Sequence, residues 1–166
     1  MLKHLFSLLL LLGVAGVIFM FSSQTYEEQS LVPLLQKLLP GEPLAGVLSQ
    51  VEVSYWGKLI SVETKGYYYF IEFFIRKFAH VFLFGCLAVA LFRVVVYWRP
   101  RRITLAIGIA LIGTGLYAAF DEFHQLLTGG RTPLVNDVFL DFIGAALALV
   151  LYVPVYLIRR KRKKRN

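Results

Sequence analysis

Four stretches of the sequence are apolar for long enough to cross a bilayer, and the polar residues gather between them. A span needs about 20 predominantly apolar residues. The first run, Leu5 to Phe21, predicts a helix over about 4–21. Lys3 and His4 precede it and Ser22-Ser23-Gln24 follow it. No A-x-A-like site comes after the run, which favours a retained span over a cleaved signal. The second helix is predicted over 72–98. Glu72, Arg76 and His80 recur every four residues there and so form one stripe. The third covers 103–127, where Asp121, His124 and Gln125 share a face with Tyr117, Thr114, Gly113 and Ala110. Small residues on such a face let helices approach closely in lipid. The fourth covers 133–158, with Thr132-Pro133 as its capping hydroxyl and first-turn proline. Asp137 and Asp141 lie four apart on one side of it, ahead of Gly144, Ala145 and Ala148.

The long connection 22–69 is more polar. Tyr26 to Leu39 reads as a short amphipathic helix with Leu31, Leu34, Leu35 and Leu38 on one side. Pro40, Gly41 and Pro43 end it. Val51 to Trp56 and Leu59 to Glu63 are rich in β-branched and aromatic residues and flank Gly57-Lys58, which predicts a small hairpin. Tyr67, Tyr68 and Tyr69 read as an interfacial aromatic belt. The fold class is therefore an all-α integral membrane protein. One domain over 1–166 forms a four-transmembrane-helix bundle, with an extracytoplasmic loop that holds the short helix and the β-hairpin.

Composition agrees. The chain is 58% hydrophobic with mean hydropathy +0.66, whereas soluble domains are about 45–50% apolar. Cys86 is the single cysteine, so an intrachain disulfide and a zinc site of several thiolates are excluded. The net charge of +8 would suit nucleic acid, but its distribution argues for a membrane. With the amino terminus inside, Lys3, Arg93, Arg99, Arg101, Arg102 and the basic tail 159–166 fall on one side, twelve of the 18 basic residues. Positive residues favour the cytoplasm, which places both termini there. The tail then meets anionic lipid headgroups, and nucleic acid is not an expected partner.

The same topology carries the candidate chemistry to the opposite, outer side. Asp121, Glu122 and His124 put three ionisable groups into four residues at a span end, a costly placement that points to use. His124, oriented by Asp121, fits a general base. Glu122, His80 and Asp137 complete the expected catalytic set. Arg76, Lys77 and Arg131 suit a phosphate, Arg131 standing beside glycines at a helix start. Ser23, Gln24, Gln125 and Asp141 are placed on the substrate side. Ser22 and Ser23 are weighed both as nucleophiles and, more heavily, as caps that hydrogen-bond across the bundle. The mixed nitrogen and oxygen set His80, His124, Asp121, Glu122, Asp137 and Asp141 also suits a divalent metal. No H-E-x-x-H motif is present, and salt bridges with the arginines are the simpler use of the acids.

Taken in order, Ser22-Ser23-Gln24, Arg76-Lys77 with His80, Asp121-Glu122-x-His124-Gln125, Gly130-Arg131, and Asp137-Val138 with Gly144 resemble the VanZ-like family over nearly the whole chain. Two positions depart from the family pattern: Leu127 replaces an aromatic, and Asp141 replaces an asparagine. The resemblance implies a bacterial plasma-membrane protein with an envelope role, associated with glycopeptide (teicoplanin) resistance. It supplies no chemistry. The leading expectation is a site that binds or acts on an anionic lipid or lipid-linked cell-wall precursor. As an enzyme it would be a hydrolase or transferase on a phosphate- or acyl-containing amphiphile. The competing expectation is a non-enzymatic envelope protein whose outer loop binds a drug, a precursor or a partner. A transporter is weaker, because the polar groups sit at one end only.

Overall fold

The computed structural model describes residues 2–128 and 135–165. The predicted turn at Gly129-Gly130-Arg131 and helix start at Thr132-Pro133 lie outside the described residues. The elements are α1 (Leu2–Ser22), α2 (Val32–Leu38), α3 (Ala45–Leu48), β1 (Val53–Tyr55), β2 (Lys58–Ile60), α4 (Val62–Lys65), α5 (Tyr67–Trp98), α6 (Ile103–Thr128) and α7 (Val135–Arg165). Four of them, α1, α5, α6 and α7, are long and apolar enough to cross a membrane. Leu5, Phe6, Leu9, Leu12, Ile112, Leu116, Val150 and Leu151 all remain exposed on them. Apolar surface of that extent suits contact with lipid.

Two compact units divide the chain, 25–79 and the remainder. In the larger unit, two apolar layers hold the helices together. Ala88, Phe92 and Val96 of α5 pack with Ala106 and Ala110 of α6 and Ala145 and Leu149 of α7. Ile18 of α1, Phe84 and Leu87 of α5 and Ala118 of α6 form the second layer, with Val138 of α7 against it. The small residues on α6 face inward as expected from the sequence. Its buried stripe is Ala106, Ala110, Thr114, Ala118, Asp121, Glu122 and Gln125. α5 and α7 meet through glycines: Gly144 lies against the backbone of Val81, and Gly85 against Ala148 and the Gly144 carbonyl.

From Leu8 to Phe21 α1 carries no polar side chain, and it is tied to α6 by hydrogen bonds. Tyr117 Oη donates to the Ala15 carbonyl at 2.8 Å. Thr128 Oγ1 lies 3.0 Å from the Ser22 carbonyl, closer than to His124 O and Gln125 O of its own helix. Removing the Tyr117 hydroxyl as Tyr117→Phe should therefore cost about 1 kcal/mol. Thermal denaturation in detergent is expected to show a small downward shift of the midpoint without loss of helicity.

α7 corrects the sequence expectation at its end. The basic tail, expected to leave the helix after residue 158, continues it to Arg165. Lys and Arg are good helix formers, and cations are favoured in a last turn. Pro154 sits inside the helix without ending it, as proline often does in apolar spans. Arg160 donates to the Pro100 carbonyl in the turn between α5 and α6.

The smaller unit holds the expected short helix and hairpin, with four corrections. The helix is confined to Val32–Leu38, and the residues before it form a separate capped turn. Thr25 N–H donates to Glu28 Oε2 at 2.7 Å, and Glu28 N–H returns to Thr25 Oγ1 at 3.3 Å. The Thr25 backbone and hydroxyl donors hold the Glu28 carboxyl below its usual range. In the hairpin, Tyr55 pairs with Lys58, so the turn is Trp56-Gly57 and not Gly57-Lys58. Both turn residues have positive φ, 50° and 79°, as the tight two-residue hairpin turn requires. Ser61 then leaves the strand to cap α4 in a reciprocal box with Thr64, so Val62 and Glu63 are helical. Finally, α5 begins at Tyr67, five residues before the expected Glu72. Tyr67 and Tyr68 tie down the loop, donating to the carbonyls of Pro43 at 2.7 Å and Leu39 at 3.2 Å. Tyr69 alone of the three is exposed.

Candidate functional site

One end of the larger unit gathers the ionisable groups that its sequence scatters. Ser22 closes α1, His80 stands on α5, Asp121 and His124 end α6, and Asp137 and Asp141 begin α7. The apolar layer of Ile18, Phe84, Ala118 and Val138 belongs to these four helices; it lies about one turn inward from Ser22, His80 and Asp121, while on α7 Asp141 lies a turn deeper than Val138. A helix that buries Ala118 also buries Asp121 and Glu122, because residues three and four apart share a face.

Ser22 is 2% exposed. Its Oγ lies 3.0 Å from His124 Nδ1 and 3.4 Å from the Asp121 carbonyl oxygen. A hydroxyl has one proton. When Ser22 donates it to that carbonyl, Nδ1 of His124 must be the donor to Ser22. The basic lone pair is then on Nε2, which no described residue engages. Phe19 and Phe120 stack on the imidazole, with centroids at 4.7 and 6.1 Å. The ring is thus held by two aromatic neighbours and at one nitrogen. Asp121 accepts from Gln125 Nε2 at 2.7 Å, so one partner of its carboxylate is the amide one turn on. Ser23 turns away, its hydroxyl donating to the Phe19 carbonyl at 2.8 Å. Gln24 continues the same turn through its backbone, donating to the Phe21 carbonyl.

A second pair joins α5 to α7. His80 Nδ1 lies 3.5 Å from Asp141 Oδ2, and the Asp141 side chain is 1% exposed. Asp141 Oδ1 has no hydrogen-bond partner among the described residues. Asp121 and Asp137 are within electrostatic reach of Asp141, so carboxylates of α6 and α7 share one neighbourhood. Asp137 occupies the first turn of α7, where a negative charge complements the helix dipole.

The basic candidates divide differently. Arg76 belongs to the smaller unit, where it pairs with Glu72 at 3.1 Å, donates to Gln29 and to the Tyr26 carbonyl, and lies over the Tyr26 ring at 4.3 Å. Glu72 in turn accepts from Leu31 N–H at 2.8 Å. A phosphate on Arg76 would have to displace these partners. Lys77 sits over the rings of Tyr55 and Phe73. Arg131 lies outside the described residues. Among the described residues no three of His, Cys, Asp and Glu gather closely enough to hold a metal ion.

The sequence offered Ser22 and Ser23 alike, with only Ser23 set on the substrate side, and of the two it is Ser22 that meets the histidine; Thr128 was not singled out. It grouped Tyr117 with the correct face of α6. A family model described as VanZ/LLP1 matches residues 6–159. No curated protein matches the chain, and no solved structure does.

Proposed function

Since the chain belongs to the VanZ/LLP1 family, we propose that this membrane protein works in the bacterial plasma membrane with its polar end outward. There it engages an anionic lipid or a lipid-linked cell-wall precursor, and through it contributes to glycopeptide resistance. The basic end, with Arg93, Arg99, Arg101, Arg102 and the tail of α7, supports a cytoplasmic position for both termini.

The observation that carries this reading is the 3.0 Å contact between Ser22 and His124. It fixes a stacked imidazole with Nε2 directed away from its bonded neighbour. That nitrogen can take a proton from a water or a substrate hydroxyl and return it to a leaving group, the work of a general base and then acid. Phosphoryl or acyl transfer from an amphiphile is the matching reaction class. The enclosure of Ser22 favours a positioning role for its hydroxyl over nucleophilic attack. The second reading, a binding protein without chemistry, draws on that same enclosure and on the Asp121–Gln125 bond.

The test compares lipid extracts and wall precursors by mass spectrometry from cells with the protein, without it, and with His124→Ala. Losing a general base lowers turnover by about 100- to 10,000-fold. The variant should thus reproduce the null cell, in precursor or lipid pools and in teicoplanin susceptibility, while remaining helical and in the membrane. A His124→Ala strain indistinguishable from wild type defeats the proposal. Loss on deleting 25–66 alone would shift the case to the binding reading.

A further inference from the structure

The opposite, basic end of the larger unit contains a cavity of about 550 Å³ lined by Phe6, Ser7, Arg93, Val96, Tyr97, Tyr152 and Tyr156. We infer that it is a binding site for the phosphate headgroup of an anionic phospholipid. This inference is independent of the His124 reading and concerns the other end of the helices.

Arg93 is five residues inside the end of α5. An arginine at such depth needs a partner, a cavity or a path to the interface. The guanidinium lies 5.6 Å from the ring of Phe6, and among the described residues no acid pairs with it. No acidic side chain is available locally. Between Glu72 and the carboxyl terminus, the acids are Asp121, Glu122, Asp137 and Asp141, all at the far end. At this end of α5, α6 and α7 the charged side chains are instead basic: Arg99, Arg101, Arg102 and Arg160. Leaving a guanidinium without a counter-charge in a low-dielectric wall is costly, so the chain itself does not supply what this position requires.

The lining says what does. Besides the guanidinium, the hydroxyls of Tyr97, Tyr152 and Tyr156 supply donors, and no described residue accepts from them. Donors without a carboxylate suit an anion rich in acceptor oxygens, and guanidinium matches phosphate geometry in particular. The volume falls in the range of small-ligand pockets. Phe6 is 58% exposed and Tyr97 37%, so the rim opens sideways onto the surface where lipid would lie. A headgroup can enter while its acyl chains stay along the apolar flank of α1. A basic pocket between spans is a recognised form of lipid-headgroup site.

The experiment uses the full chain in nanodiscs, read by native mass spectrometry and thermal shift. Discs of phosphatidylcholine carry phosphatidylglycerol or inorganic phosphate as the added probe. Wild type should retain one phosphatidylglycerol through delipidation and melt higher with it. Arg93→Gln should weaken retention about tenfold or more, the scale of a lost charged hydrogen bond. Tyr156→Phe, a milder change should Arg93→Gln not fold, should weaken it several-fold, and Arg93→Lys should retain more lipid than Arg93→Gln. Neutralising Arg162 and Lys163 on the tail should leave retention unchanged. Equal retention by Arg93→Gln and Tyr156→Phe, equal loss in the tail variant, or equal retention of phosphatidylcholine would overturn the assignment. A shift reproduced by inorganic phosphate alone would overturn the lipid as its source.

Discussion

Gly144→Leu should prevent stable packing of α7 against α5, and even Gly144→Ala should be strongly destabilising. A β-carbon at 144 would stand 2.5 Å from the Val81 carbonyl oxygen and 2.9 Å from its Cα. Those are backbone atoms of a helix, and they have no rotamer to adopt. Overpacking ordinarily costs about 1–3 kcal/mol; with backbone as the obstacle, alanine should reach the top of that range and leucine exceed it. The neighbouring contact leaves no slack, since a β-carbon on Gly85 would meet Ala148 Cβ at 3.0 Å. Gly13→Ala is the control. Nothing lies within 4 Å of a β-carbon there, and the change should be neutral or favourable by up to about 1 kcal/mol, the helix preference for alanine. Melting midpoints in detergent for the three variants decide the matter. A Gly144→Ala protein as stable as Gly13→Ala would mean that α5 and α7 do not meet as described. Moving α7 would also carry Asp141 away from His80, so a lost function should accompany the lost packing.

The second large effect concerns that pair. His80→Ala should cost about 1–3 kcal/mol, the penalty for leaving a buried polar group without its hydrogen-bond partner. The cost falls on Asp141, whose side chain is 1% exposed while that of His80 is 29% exposed. The penalty comes from the stranded carboxyl, so Asp141→Asn should recover much of it in the double variant. Alone, Asp141→Asn should be mild. The four proteins form a double-mutant cycle, measured by denaturation in a fixed detergent. A coupling near zero would remove the pair from any account of the site.

These two contacts also show what a reader of the sequence can and cannot reach. The four spans were legible because about 20 apolar residues leave few alternatives. The inward face of α6 was legible because alanines, a threonine and the acids repeat at three and four. α1 offered no such pattern. From Leu8 to Phe21 it is apolar all round, so neighbouring serines about 100° apart on the helix could not be ranked, and Ser22 rather than Ser23 meets His124. Tyr67 and Tyr68 resembled an interfacial belt because their acceptors, Pro43 and Leu39, lie 24 and 29 residues back. The hairpin was foreseen but displaced by a residue, since tryptophan is an unusual choice for positive φ. Arg93 read as a boundary marker, and only the helices around it reveal the cavity.

The fastening of α1 has a bearing on how the chain is made. Its two hydroxyl latches come from Tyr117 and Thr128, more than a hundred residues downstream of their acceptors. During translation α1 has left the ribosome long before either partner exists. A helix that must wait in hydrocarbon for that interval can carry no unsatisfied polar stripe on its sides. The lack of a distinct face on α1 is thus the property that lets it stand alone until α6 arrives.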